Sequence, residues 1–314
     1  MPEPEKPTVI LTHPMLERMG ATLEAAGYHA ARLWVLGEDE RQAARALVHA
    51  GEVQLSPDLL MSLPKLGLIA NVSVGYDGVD VAWCRAHGIE VTHARGLNAE
   101  DVADHAIGLL VASWRSIVVG DAMVRDGRWA ASERLGVRPS LGGRKVGIVG
   151  LGAIGVAVAR RAEALRMVPA WWGPTPKPDA PWPRAESLLA LAADSDVLVV
   201  ACRAEAANRG LISQAVIEAV GPKGLIVNVA RGSLIDERAL IAALKDGRLG
   251  RAALDVFDVE PTPPARWADV PNTLLTPHVA GSTTDVIPLM VGQALDNLRL
   301  FLAGEPVASP VAGA

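Results

Sequence analysis

The run Gly150-Leu-Gly-Ala-Ile-Gly155 constrains this chain more than any other stretch, because three glycines at that spacing suit one local geometry. It follows Lys145-Val-Gly-Ile-Val149, which reads as a buried strand, and Ala153 and Ile154 open an apolar helical stretch. Gly150 permits a tight turn, Gly152 lets a ligand approach the backbone, and Gly155 allows the helix to pack closely on the strand. The unpaired N–H groups at such a helix start favour a phosphate. This strand–turn–helix is therefore predicted to hold the pyrophosphate of a dinucleotide.

The rest of the chain alternates β-like runs with helical stretches, the pattern of parallel sheets covered by helices on both faces. An early unit runs from Val9-Ile-Leu through Leu68-Ile-Ala to Ile89-Glu-Val-Thr. After it the pattern predicts one long helix, with Asn98 as N-cap, Glu100 and Asp101 in its first turn, an apolar pattern to about Val124, and Gly127 at its end. Strands are then expected at Lys145–Val149, Met167–Trp172, Val197–Ala201, Leu225–Val229, Arg251–Asp255 and about Asn272–Pro277, and a last helix from about Thr284 to Ala303. Runs such as Val197-Leu-Val-Val-Ala, apolar on both faces, belong in the middle of a sheet. The Pro-rich stretch Pro174–Pro183 reads as a connecting loop.

At 314 residues, half of them hydrophobic, the chain has material for two cores. A net charge of −5 argues against a nucleic-acid or anionic-membrane partner. Cys84 and Cys202 lack both disulfide-framework and metal-ligand spacing, so a reducing compartment is expected, with no metal site. Ile107–Val124, the most membrane-like segment, contains Arg115 and Asp121, and a buried helix is expected there instead. With no apolar leader pattern in the first residues, a cytoplasmic location is expected.

Three ionisable residues each follow a predicted strand: Arg231, Glu260 and His278. Carboxyl ends of parallel strands border the ligand crevice. Reducing a 2-oxo acid calls for these three groups. A guanidinium anchors the carboxylate and polarises the keto oxygen, and an imidazole titrating near neutrality donates the proton. A neighbouring carboxylate orients the imidazole and stabilises its cation. His13, His29, His49, His87, His93 and His105 are expected to be structural.

Six stretches together resemble the D-isomer-specific 2-hydroxyacid dehydrogenase family, above all its glyoxylate, hydroxypyruvate and hydroxyphenylpyruvate reductase branch. They are Asn71-Val-Ser-Val-Gly-Tyr-Asp-Gly-Val-Asp80, Asp101-Val-Ala-Asp-His-Ala-Ile-Gly108, Gly147-Ile-Val-Gly-Leu-Gly-Ala-Ile-Gly155, Asn228-Val-Ala-Arg-Gly-Ser-Leu-Ile-Asp-Glu237, Leu254-Asp-Val-Phe-Asp-Val-Glu-Pro261 and Pro277-His-Val-Ala-Gly-Ser282. The resemblance implies two Rossmann-like α/β domains: a flavodoxin-like substrate domain of residues 1–97 plus 284–314, and an inserted nucleotide domain of residues 98–283. It implies that Arg231, Glu260 and His278 form the catalytic set. Backbone N–H groups near Val74 and Gly75 would hold the substrate carboxylate, and Asp255 would bond the nicotinamide carboxamide. Further cofactor contacts are expected at Gly173, Pro174, Thr175, Lys177, Cys202, Arg203, Val229, Ala230 and Gly281, and the long helix would form a homodimer interface.

Some positions depart from that pattern. The second βα turn usually carries Asp for NAD or a Ser-Arg-Thr-like run for NADP, whereas here it reads Gly173-Pro174-Thr175. Arg203 replaces a usual Pro, and Ile287 a common basic residue. No acid lies between Met167 and Pro178 to repel a 2′-phosphate, and Lys177 and Arg203 could offer charge, so NADP(H) is expected over NAD(H). A non-enzymatic, dinucleotide-sensing corepressor shares this fold and triad, but the chain shows no long disordered extension. Formate dehydrogenases are disfavoured by the carboxylate at Glu260, and phosphoglycerate dehydrogenases by the lack of room for an extra regulatory domain.

Overall fold

The computed structural model describes residues 6–129 and 134–311. Its contacts divide the chain into two units, Met1–Leu97 with Thr284–Ala314, and Asn98–Thr283.

In the first unit, β1 (Thr8–Leu11), α1 (Met19–Ala25), β2 (His29–Arg32), α2 (Glu38–Ala43), β3 (Ala44–His49), α3 (Pro57–Met61), β4 (Leu68–Asn71), α4 (Val81–Ala86) and β5 (Glu90–Thr92) follow in turn. The five strands make a parallel sheet of order β2-β1-β3-β4-β5. Alternate side chains serve opposite cores: Ile10, Leu47 and Ile69 on one face, Val9, Leu11, Val48 and Leu68 on the other. Burial on both faces is why these strands read as unbroken apolar runs. Two of the five strands, β2 and β3, do not emerge from the sequence pattern. His29-Ala-Ala-Arg32 contains no β-branched residue, and Ala44–His49 is a strand chiefly because β1 and β4 flank it.

The second unit contains β6 (Lys145–Val149), β7 (Val168–Trp172), β8 (Val197–Val200), β9 (Leu225–Asn228), β10 (Arg251–Leu254) and β11 (Thr273–Leu275). They form a parallel sheet of order β11-β10-β9-β8-β6-β7. The chain winds outward from β6 to β7, then crosses back to β8. This topological switch opens a crevice beyond the carboxyl ends of β6 and β8. Ile148, Val199 and Val227 face one core; Leu198, Val200 and Ile226 face the other. Each is fully buried, and such burial contributes about 1.5–3 kcal/mol per side chain. Helices α5 (Ala99–Trp114) and α7 (Ala153–Ala164) cover the first face, and α8 (Leu188–Ala193), α9 (Gln214–Val220) and α10 (Glu237–Lys245) the second. Helix α11 (Val286–Leu302) belongs to the first unit, where Ala294 and Leu298 join its core.

The single long helix expected from Asn98 to Val124 is in fact two. Helix α5 ends at Trp114, and α6 (Ile117–Arg125) departs from it at 61°. The break falls at Ser116, which adopts a left-handed conformation with φ 54° and accepts a hydrogen bond on Oγ from Arg138 Nε at 2.9 Å. Neither glycine nor proline marks it, and the apolar pattern runs through it, so only a tertiary contact reveals it. Asn98 does stand at the N-cap of α5, but its side chain makes no capping hydrogen bond. Among the described residues no single helix is long and apolar enough to cross a membrane.

Candidate active site

The glycine turn lies at the switch point. Gly150 has φ 92°, and a Cβ there would stand 2.5 Å from Cys202 Cα, so the turn after β6 presses directly on the loop after β8. A Cβ at Gly155 would stand 2.1 Å from the carbonyl oxygen of Gly150. These two glycines are required by the fold itself. Gly152 differs: it is the N-cap of α7, and a Cβ there would meet nothing within 4 Å. Open space before a helix start with no acid in its first turn fits a pyrophosphate, with the N–H groups of Ala153 and Ile154 at hand. Burial pushes the Cys202 thiol up to about 11, so it stays neutral beside that space.

Beyond β7, the two expected cations take separate partners. Lys177 Nζ donates to the carbonyl of Leu151 in the glycine turn, and Arg203 Nε lies 3.7 Å from Glu205 Oε1. Gly173 is buried, whereas Pro174 and Thr175 are exposed. Arg184, which the sequence pattern did not single out, donates to the carbonyl of Gly173.

Arg231, Glu260 and His278 all belong to the second unit, on the loops after β9, β10 and β11. His278 Nδ1 and Glu260 Oε2 are 2.6 Å apart. Glu260 Oε1 accepts from Phe257 N–H at 2.8 Å. Burial raises the pKa of Glu260, but the hydrogen bonds from His278 and Phe257 and the charges of His278 and Arg231 outweigh it, so the net shift is downward. An ionised Glu260 can only accept, so Nδ1 of His278 carries the proton and Nε2 is the ring nitrogen left for chemistry. The imidazole is 27 % exposed, enough to meet a small molecule.

The backbone holding this set is tightly specified. His278 itself has φ 53°, a conformation that costs roughly 1–2 kcal/mol for a residue with a Cβ. Its N–H donates to the carbonyl of Asp255 at 2.8 Å. The Asp255 carboxylate, 1 % exposed, accepts from Val279 N–H at 3.0 Å, Ala280 N–H at 2.8 Å and Thr276 Oγ1 at 2.6 Å. His105 Nε2 reaches Thr276 Oγ1 at 3.0 Å and Asp255 Oδ1 at 3.4 Å. Asp255 therefore fixes the very segment that presents His278. On the neighbouring loop, buried Asn228 donates to the carbonyl of Arg231 and accepts from Ala230 N–H. Arg231 Nη1 donates to the carbonyl of Ala230 at 2.7 Å, and Val229 and Ala230 are buried. A Cβ at Gly232 would stand 1.8 Å from the carbonyl carbon of Phe257, so the Arg231 and Glu260 loops are in backbone contact. Glu237 accepts from Asp258 N–H and pairs with Arg266, tying the Glu260 loop to the start of α10. A Cβ at Gly281 would strike Asn98 Nδ2 at 2.3 Å, which keeps the end of the His278 loop against α5.

In the first unit, Val74 and Gly75 lie on the loop after β4. Ser73 Oγ donates to the carbonyl of Gly75 at 2.7 Å, and His93 Nδ1 lies 3.0 Å from the carbonyl oxygen of Val74. The other histidines there make local contacts: His13 accepts from Met15 N–H, His29 meets Glu40, His49 meets Thr12, and His87 stacks on Trp83.

Comparison with known proteins agrees with this fold. The family model for the D-isomer specific 2-hydroxyacid dehydrogenase NAD-binding domain matches residues 107–280. The chain is 37% identical over 309 residues to a glyoxylate/hydroxypyruvate reductase of Arabidopsis thaliana, covering 96% of this chain and 98% of that one. It is 38% identical over 272 residues to the hydroxyphenylpyruvate reductase of Plectranthus scutellarioides, covering 87% of each. Among solved structures, the NADPH-dependent glyoxylate/hydroxypyruvate reductase of Sinorhizobium meliloti, in complex with NADP and malonate, is similar at a TM-score of 0.91 and 34% identity. That match covers 98% of this chain and 97% of the other.

Proposed function

The chain belongs to the D-isomer-specific 2-hydroxyacid dehydrogenase family, and on that premise we propose that it reduces a short 2-oxo acid to the D-2-hydroxy acid with NADPH. As a member it is an NAD(P)-dependent oxidoreductase of small 2-oxo and 2-hydroxy acids, and its relatives' names make glyoxylate, hydroxypyruvate and aryl pyruvates the substrates to try first. The observation that carries the reading is the 2.6 Å contact of His278 with an ionised Glu260, whose loop packs against the one bearing Arg231.

A nicotinamide dinucleotide, held at the glycine turn by the N–H groups of Ala153 and Ile154, would supply the hydride. Arg231 binds the substrate carboxylate and polarises the keto oxygen through its forked donors. His278 delivers a proton from Nε2 to the oxygen that becomes the hydroxyl, and takes it back in the reverse direction. Glu260 keeps the Nδ1 proton in place and stabilises the imidazolium. Asp255 acts beneath them by holding the His278 segment.

The NADPH preference rests on the second βα turn, where the acid that would bond a ribose 2′-OH and repel a 2′-phosphate is missing. The protein is also proposed to pair with a second copy through α6. Ile117, Val118, Val119 and Val124 on that helix are each more than half exposed, and apolar surface so concentrated marks an interface.

The test is turnover of glyoxylate, hydroxypyruvate, phenylpyruvate and hydroxyphenylpyruvate with both reduced cofactors. We expect kcat/KM about tenfold or more in favour of NADPH, the effect of one charge-assisted hydrogen bond. Equal values or an NADH preference would refute the cofactor choice, and no turnover of any of the four would refute the substrate class.

A further inference from the structure

The second βα turn of the nucleotide unit receives a guanidinium from eleven residues downstream. Beyond the Pro-rich loop, the chain returns alongside β7. Trp171 N–H donates to the carbonyl of Pro183 at 3.0 Å, and Ala185 N–H to the carbonyl of Trp171 at 2.8 Å. This parallel bridge sets Arg184 beside the carboxyl end of the strand. Arg184 Nη2 donates to the carbonyl of Gly173 at 2.8 Å and reaches that of Pro174 at 3.4 Å, while Nε reaches Gly173 at 3.3 Å. The guanidinium carbon lies 5.7 Å from the centre of the Trp171 ring. The side chain is thus held from two sides, yet the residue is exposed, and among the described residues no carboxylate pairs with it.

The end of this strand, about 20 residues past the glycine motif, is where a Rossmann site meets the 2′ position of the adenosine ribose. We propose that Arg184 binds the 2′-phosphate of a phosphorylated adenine dinucleotide. Nε and Nη2 are engaged by the turn carbonyls, which leaves both Nη1 donors of a planar, permanently charged fork for phosphate oxygens. Thr175, exposed on the same turn, adds a hydroxyl donor. The two cations that the sequence pattern offered are engaged elsewhere, Lys177 at the Leu151 carbonyl and Arg203 near Glu205. The proposal deepens the NADPH reading and rests on it for its use in catalysis, while the phosphate contact can be tested separately.

The probe is 2′,5′-ADP, with 5′-AMP as the reference that lacks the 2′-phosphate, each titrated calorimetrically into the full-length protein. Arg184→Ala is expected to weaken 2′,5′-ADP binding tenfold or more and to lower the ratio of Kd for 5′-AMP to Kd for 2′,5′-ADP by the same factor. Arg184→Lys, which keeps the charge and loses the fork, should fall between the two. Equal weakening of both ligands would reveal a collapsed turn and overturn the proposal. So would unchanged 2′,5′-ADP binding, or a larger loss in Lys177→Ala or Arg203→Ala. A wild-type enzyme indifferent between NADPH and NADH would sink the cofactor reading alone, because a selective loss of 2′,5′-ADP binding in Arg184→Ala would still uphold the contact.

Discussion

Replacing Glu260 by Gln removes one charge and almost no volume, and its effect on the pH profile can be worked from the geometry. The carboxylate takes two hydrogen bonds, from Phe257 N–H on Oε1 and from His278 Nδ1 on Oε2. An amide has one acceptor oxygen, so it can serve only one of these donors. If it keeps Phe257, its NH2 faces Nδ1 and favours the imidazole tautomer with the proton on Nε2. The wild-type hydrogen bond to a charged group is worth about 1.5–3 kcal/mol. Both side chains are roughly a third exposed, so the lower end applies. The neutral ring donates the same bond from Nδ1, so only the extra strength of that bond toward the imidazolium moves the titration, at about 1.36 kcal/mol per pH unit. The sign comes from reciprocity: the protonated imidazole lowers the pKa of Glu260, so the ionised carboxylate favours the protonated imidazole by the same free energy. Reduction uses the protonated ring and declines as pH rises, so in Glu260→Gln the decline should begin at lower pH. Oxidation uses the neutral ring, and its rising limb should move down equally. The assay is kcat/KM against pH in both directions. Limbs within about 0.2 unit of wild type would refute the pairing, whatever happened to the rate.

The same contacts set other outcomes. His278→Ala should lose roughly 10² to 10⁴ in kcat while retaining cofactor binding, measured by fluorescence titration; near-normal kcat would remove His278 from the acid–base role. Gly150→Ala, strained at φ 92° and crowding Cys202, should destabilise by about 2 kcal/mol or more in urea unfolding, whereas Gly152→Val should keep the wild-type Tm and weaken the cofactor. The reverse pattern would show that the two glycines have been assigned wrongly. Light scattering should give twice the 32.9 kDa chain mass, falling toward one chain in Val118→Asp; a monomeric wild type at micromolar concentration would refute the α6 interface.

Short-range order was legible in the sequence. The glycine turn needs only its own six residues and two flanking elements, and it stands where that pattern puts it. The places of Arg231, Glu260 and His278 were legible because each comes after a strand, buried in β9 and β10 and half-buried in β11, and a parallel sheet delivers strand ends to one edge. The strands that escaped notice, β2 and β3, owe their conformation to neighbours far away in the chain. The bend at Ser116 escaped for the same reason, since its hydroxyl answers to Arg138, twenty-two residues on.

The support of the site was hidden more deeply, and the reason is chemical. A side chain that touches substrate must belong to a small set of types, so its identity advertises its work. A side chain that positions another group only has to satisfy a donor or acceptor, and many types can do that. Asp255 was expected at the cofactor, yet three of its hydrogen bonds go to Thr276, Val279 and Ala280, and so set the backbone of His278. Asn228, Gly232 and Glu237 sit inside the motif that made Arg231 recognisable, and each holds a loop without adding chemistry. Arg184 was hidden by distance alone, because it has a functional residue type but arrives at its turn through an eleven-residue detour. Spacing along the chain points to Lys177, whereas pairing with Trp171 delivers Arg184. The charge at a turn therefore depends on the segment that pairs with the preceding strand as much as on the residues next along the chain.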